Sequence, residues 1–124
     1  KRFLVHESVY ENFRGRLLEK FAELRMGDPL ESSTTLGPLA TAQIREDLHS
    51  LVEDARKHGG RVLVGGEVPK TEGYFYPPTV VEGVGKEARL YREEAFGPLA
   101  ALYPYQTHEE MLELANATPY GLGA

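Results

Sequence analysis

The chain has no cysteine and no tryptophan among its 124 residues, and only two methionines. Without a thiol it forms no disulfide, offers no thiolate to a metal and cannot itself begin a reaction by attack of sulfur. Positive charge is in deficit as well: 14 Lys and Arg stand against 19 Asp and Glu, for a formal charge of −5, and the basic residues are scattered. Phosphate contacts need clustered Lys and Arg, so this balance argues against a nucleic-acid partner. No apolar run approaches the roughly 20 residues of a membrane helix. Lys1–His6 is too short for a signal peptide, and a cytoplasmic location is the default expectation.

Other absences narrow the chemistry. His6, His49, His58 and His108 show no paired metal-ligand spacing, so they are expected to be surface residues and no metal site is predicted. Ser32-Ser33-Thr34-Thr35 offers hydroxyls, but no G-x-S-x-G elbow activates one. Gly59-Gly60 precedes the apolar run Arg61–Val64, and no G-x-G-x-x-G opens a helix after it, which rules out a dinucleotide fingerprint. Glu46, Asp47, Glu53 and Asp54 fall mostly on the outer face of a helix and read as solvated charge.

What is present fits a soluble globular chain of one-domain size, with 41% hydrophobic and 27% charged residues. Strand and helix patterns alternate. Phe3–Val5 reads as a short buried strand. Ser8 with Glu11 suggests a capping box, opening a helix whose stripe is Val9, Phe13, Leu17, Phe21 and Leu24 and which ends at Gly27-Asp28-Pro29. A Ser, Thr, Gly and Pro-rich connection follows to Thr41. There a second helix is predicted with Ile44, Leu48, Leu51, Val52 and Ala55 inward, stopped by Gly59-Gly60. Arg61–Val64 is a strand turned by Gly65-Gly66. Pro77-Pro78 confines the aromatic and β-branched runs on either side to an edge or a break in the sheet. Leu99–Tyr105 is a further strand, weakened at Pro104. Thr107 with Glu110 repeats the capping-box pattern before a last helix, which Thr118-Pro119 terminates.

The most informative stretch is Arg92-Glu93-Glu94-Ala95-Phe96-Gly97-Pro98. Pro98 has no amide hydrogen and drives Gly97 out of the helical region, so the segment should be a rigid, exposed loop. A carboxylate there accepts hydrogen bonds from a diol such as a ribose, and the phenyl ring two residues on can lie against a planar group. On residue type alone the same side chains also suit a solvated loop anchored by Phe96.

This loop resembles the Glu-Glu-aromatic-Gly-Pro motif of the aldehyde dehydrogenase superfamily. Further segments are similar to that family in the same order: Lys1-Arg2-Phe3-Leu4-Val5, Gly27-Asp28-Pro29-Leu30, Leu36-Gly37-Pro38-Leu39, Gly65-Gly66, Gly73-Tyr74-Phe75 with Pro78-Thr79-Val80, and Ala115-Asn116 with Tyr120-Gly121-Leu122. The resemblance implies an α/β fold with a mostly parallel open sheet flanked by helices. Residues 1–124 would form a single α/β domain, part of the aldehyde dehydrogenase catalytic domain, with the NAD-binding domain absent. It also implies a fragment that starts after the nucleophilic cysteine and lacks the general-base glutamate, so that no catalytic residue lies in this chain and the chain alone is inactive.

In the family's reaction a cysteine attacks the aldehyde, hydride passes to NAD or NADP, and the thioester is hydrolysed. By motif position, Glu94 would accept hydrogen bonds from the nicotinamide ribose and Phe96 would pack beside that ribose and ring, with Glu93 as a neighbouring support. The implied partners are an aldehyde substrate and the nicotinamide cofactor. Weak or no cofactor binding is expected from this chain alone, and its uncovered edges imply self-association or a homo-oligomer.

Two departures from the pattern matter. Ala95 stands where larger branched residues are common. Gln43 arrives early, so no ribose-binding role is carried to it. Arg45-Glu46-Asp47-Leu48-His49 after Gly37-Pro38-Leu39-Ala40 is similar to a succinate-semialdehyde dehydrogenase subgroup. The alternative function is a non-catalytic α/β module that keeps the scaffold for binding or assembly.

Overall fold

A computed structural model describes residues 1–121; the Leu122 of the Tyr120-Gly121-Leu122 match and the final Gly123-Ala124 lie outside the described residues. Among the described residues four strands form one sheet: β1 (Arg2–His6), β2 (Arg61–Val64), β3 (Thr79–Glu82) and β4 (Leu99–Tyr105), in the order β1-β4-β3-β2. β1, β4 and β3 are parallel, and only β2 runs antiparallel to its neighbour β3. The sheet is therefore mostly parallel and open, as the family resemblance implied. The apolar run Leu99–Tyr103 is buried throughout, as befits a central parallel strand covered on both faces.

Alternation along β3 and β4 sends side chains to two separate cores. Val80, Ala100 and Leu102 belong to the core under helix α1 (Glu7–Ala22), while Val81, Leu99, Ala101 and Tyr103 belong to the core that helix α2 (Ala42–Lys57) shares with residues 88–91, Tyr103 meeting Tyr91 edge to face. α2 follows its sequence pattern closely. Thr41 caps it by accepting the Ile44 N–H at 3.2 Å, and Leu48, Leu51, Val52 and Ala55 are buried while Ile44 is half-buried. Gly59 closes it at φ +88°, and the Gly60 amide donates back to the Ala55 carbonyl.

α1 departs from expectation. The Ser8–Glu11 capping box does not form, because the His6 ring accepts the Ser8 N–H and Glu11 pairs with Arg14. Its packed face is Tyr10, Phe13, Leu17, Leu18 and Phe21, whereas Val9 and Leu24 are exposed. The helix ends at Ala22, ahead of the glycine and proline expected to stop it. Tyr10 is tied down by donating to Glu82 at 2.9 Å, and that carboxylate is also held by Arg14 and Arg61, which rotates the helix away from the Val9 stripe.

Smaller corrections concern edges and caps. β1 is an edge strand among the described residues, with Val5 its one fully buried position, rather than a buried strand. Pro77-Pro78 does break the chain, but β3, which starts at Thr79, is central and buried along its length, so the edge alternative falls. Thr107 accepts the Glu110 N–H of the last helix, α3 (His108–Ala115), yet Glu110 reaches back to the Gln106 amide at 2.8 Å instead of to Thr107, so the box is displaced by one residue. α3 ends at Ala115, before Thr118-Pro119. Nor are all the histidines free surface residues. His6 caps α1, and His49 shares a 3.1 Å hydrogen bond with Tyr76, whose phenol burial pushes up to about 12.

Candidate functional site

The Glu93–Pro98 loop leaves a single 3-10 turn, Arg89–Tyr91, and enters β4. Its two ends are fixed by different means. At the β4 end, the Pro98 carbonyl accepts the Thr79 N–H at 2.8 Å, which ties the loop to β3. Gly97 has φ +149° and lies so close to α2 that a Cβ there would sit 2.4 Å from Leu48 Cδ2. Only glycine allows both that torsion and that approach. Ala95 is half-buried against the core formed with α2, so the loop is backed by packing between its two exposed side chains.

At the turn end, the Arg89 guanidinium donates twice to Glu93, at 2.8 Å to each oxygen, and once to Ser50 Oγ on α2 at 3.0 Å. The Arg89 backbone N–H donates to Asp54 Oδ2 at 2.7 Å. The hydrogen bonds from Arg89 hold the Glu93 carboxyl below the usual glutamate range. Glu93 is thus committed within the chain, and Asp54 is a cap for the turn rather than the solvated charge its helix position suggested.

Glu94 and Phe96 remain. Glu94 is exposed, and no cation among the described residues forms a salt bridge with it. Phe96 is 68% exposed although it follows a residue packed into the core. The two expected ligand-contacting residues therefore face outward together. They border a cavity of about 270 Å³ whose wall also includes Ile44, Asp47, Arg89 and Glu93. Gln43 donates to Asp47 Oδ1 at 2.9 Å along α2 and is absent from the cavity wall. The arrangement offers a hydrogen-bond acceptor beside an apolar ring on fixed backbone, which suits a ligand with hydroxyls next to a planar group.

Sequence reasoning missed Arg89, Ser50, Asp54 and Asp47. The Arg89 to Glu93 spacing is the i, i+4 relation of ion pairs on helices, a signal that was legible. The contacts from Arg89 to Ser50 and Asp54 span 39 and 35 residues and leave no local trace. A second cavity, of about 420 Å³, lies between α3 and the 3-10 turn and is lined by Lys86, Tyr91, Arg92, Glu110, Glu113 and Leu114 among others. Among the described residues no group of three or more His, Asp or Glu could hold a metal ion, and no helix is long and apolar enough to cross a membrane.

Comparison with known proteins agrees along the whole length. Residues 1–124 match the aldehyde dehydrogenase family. An aldehyde dehydrogenase of Paenarthrobacter nicotinovorans is 48% identical over all of this chain and 27% of its own length. A succinate-semialdehyde dehydrogenase [NADP(+)] 1 of Mycobacterium bovis is 43% identical, again over all of this chain and 27% of the relative. The crystal structure of the succinic semialdehyde dehydrogenase from Streptococcus pyogenes in complex with NADP+ superposes with a TM-score of 0.95 at 37% identity, covering 99% of this chain and 27% of that one. The chain thus spans about a quarter of the length of the relatives it matches.

Proposed function

The chain belongs to the aldehyde dehydrogenase family, and from that membership we propose that it supplies the wall meeting the nicotinamide end of NAD or NADP in an enzyme that oxidises an aldehyde to a carboxylate. Relatives named as NADP-dependent succinate-semialdehyde dehydrogenases, at 43% identity, support succinate semialdehyde as the substrate class. The observation that carries the reading is the contrast within one motif: Glu93 is consumed by Arg89, while Glu94 and the ring of Phe96 face the solvent from a loop that cannot easily move.

These residues fit the cofactor. An ionised carboxylate is acceptor-only and suits the two hydroxyls of a ribose, while an exposed phenyl ring suits the flat, partly apolar surface beside it. When bound, the cofactor supplies the acceptor for the electrons released by the aldehyde. Glu94 would hold the ribose hydroxyls and so fix the orientation of the attached ring. Phe96 would cover that side of the site and exclude water. Gly97 and Ala95 keep both groups in place, which matters because small misplacements of reacting groups cost large factors in rate.

Residues 1–124 would act as one α/β domain, with the nucleophilic thiol, the general base and the dinucleotide-binding domain supplied by other polypeptide. The sequence holds no cysteine, so the isolated chain is expected to oxidise no aldehyde. Turnover by the purified 124-residue chain would overturn that assignment. In the natural protein carrying this segment, Glu94→Gln is expected to lower kcat/KM roughly tenfold or more with little change in melting temperature, since the residue is exposed and forms no salt bridge among the described residues. Unchanged kinetics in that variant would remove the ribose contact.

A further inference from the structure

Two consecutive carboxylates, Glu93 and Glu94, leave the same turn and border the same cavity, and of the two, among the described residues, only Glu93 is held in a salt bridge. The partner is Arg89, whose guanidinium grips both Glu93 oxygens and uses its remaining arm on Ser50 of α2. The turn that carries Arg89 is itself fastened to α2 through Asp54. From this arrangement we infer that Arg89 is a positioning residue for the cofactor wall: it draws Glu93 onto α2 and thereby fixes Glu94 as the one carboxylate of the pair that the cofactor meets. The inference rests on the reading of Glu94 and Phe96 as the nicotinamide-end contact.

Electrostatics and geometry both support it. Without Arg89, Glu93 and Glu94 would be two adjacent negative charges on one cavity whose lining also includes Asp47, and like charges so close repel one another and disfavour a single fixed arrangement. With Arg89 in place, Glu93 is neutralised by a bidentate pair, the geometry in which arginine holds a carboxylate most firmly. The Glu93 amide also donates to the Arg89 carbonyl at 2.8 Å, so side chain and backbone close the same short loop. Moving Glu93 therefore shifts the backbone of Glu94 with it. The ion pair is about half exposed, with 48% and 45% of the two side chains open to solvent, so its role in global stability is small while its role in aiming the next residue is direct.

The test uses the natural protein that contains this chain, titrated with NADH and NADPH by nicotinamide fluorescence. Arg89→Ala, Glu93→Gln, the double variant and Glu94→Gln are measured alongside melting temperature and the KM for aldehyde. Arg89→Ala is expected to weaken cofactor binding roughly fivefold, and the double variant no more than that, since both changes break one link. Melting temperature and aldehyde KM should stay nearly constant, and amide exchange over residues 92–97 should quicken. Should Arg89→Ala fail to fold, Glu93→Gln, an isosteric change at an exposed position, carries the same expectation. Unchanged cofactor affinity overturns the inference, as does a loss that is additive in the double variant and parallels a fall in melting temperature. If Glu94→Gln also leaves affinity unchanged, the cofactor reading itself fails. If only Glu94→Gln weakens binding, that reading stands and the role of Arg89 falls.

Discussion

The loops that carry Leu30 and Phe96 both present a large apolar side chain to solvent, and of these two only the second has the makings of a site. Leu30 is 93% exposed, more so than Phe96 at 68%. The connection that carries Leu30 is held mainly by its own hydrogen bonds: Gly27 donates to Leu36, Thr35 and Leu36 to Arg25, Glu31 to Asp28 and Thr34 to Glu31. The Phe96 loop is held by the rest of the fold, through Thr79, Leu48, Ser50 and Asp54. Exposure alone therefore marks nothing. An exposed ring on backbone that the sheet and α2 both pin, beside a carboxylate that forms no salt bridge among the described residues, is a different object from an exposed leucine on a self-contained loop.

The largest expected effect comes from attacking the pin. Gly97→Val places a β-branched side chain at φ +149° against buried Leu48, and is expected to cost roughly 2–4 kcal/mol in urea denaturation. In the other loop, the one close approach of Gly27→Ala is to the Thr34 hydroxyl, at 2.7 Å, with the rest of Thr34 at 3.8 Å, and a side chain can turn away where a core cannot. A cost under about 1 kcal/mol is expected there. Equal losses at the two glycines would erase the distinction between the loops.

Next in size is the pair Phe96→Ala and Leu30→Ala. Both should leave stability within about 0.5 kcal/mol, because both side chains are exposed. Cofactor affinity should separate them, with about a tenfold loss for Phe96→Ala and none for Leu30→Ala in the natural protein. A loss confined to Leu30→Ala would assign the site to the wrong loop.

A pH titration tests a carboxylate that hydrogen bonds lock in place, Glu82. Burial pushes Glu82 up, but hydrogen bonds from Arg61, Tyr10 and Arg14 outweigh it and hold the pKa below the ordinary glutamate value. A folded pKa below the unfolded one means that the stabilisation is present above about pH 4.3–4.5 and is lost as pH falls through the depressed value. Acid unfolding of the wild type should therefore be steeper below about pH 4.5 than that of Glu82→Gln, and equal steepness in the two proteins would contradict it.

The smallest effect tests α1. A methyl group on Gly15 would meet nothing within 4 Å, and Gly15→Ala is expected to add about 0.5–1 kcal/mol of stability in the same denaturation experiment.

How far the sequence carried the reading depends on the range of the forces involved. α2 was legible because Thr41, the stripe from Ile44 to Ala55 and Gly59 all act within one helix. α1 was misread in detail because its rotation is set by Glu82, which meets Tyr10 across 72 residues and Arg14 across 68. The site shows the same division. The outward pair Glu94 and Phe96 lay in a motif of adjacent residues, and the glycine and proline beside them announced fixed backbone. The network that does the fixing, Arg89 with Ser50 and Asp54, joins distant parts of the chain and became visible only in three dimensions.

The most direct measurement is a crystal structure of the natural protein with NADP+ bound. The Glu94 carboxylate is expected within hydrogen-bonding distance of the nicotinamide ribose hydroxyls, the Phe96 ring against that ribose, and Glu93 still paired with Arg89. A cofactor whose nicotinamide end lies elsewhere, with Glu94 in bulk solvent and Phe96 touching only protein, would contradict it.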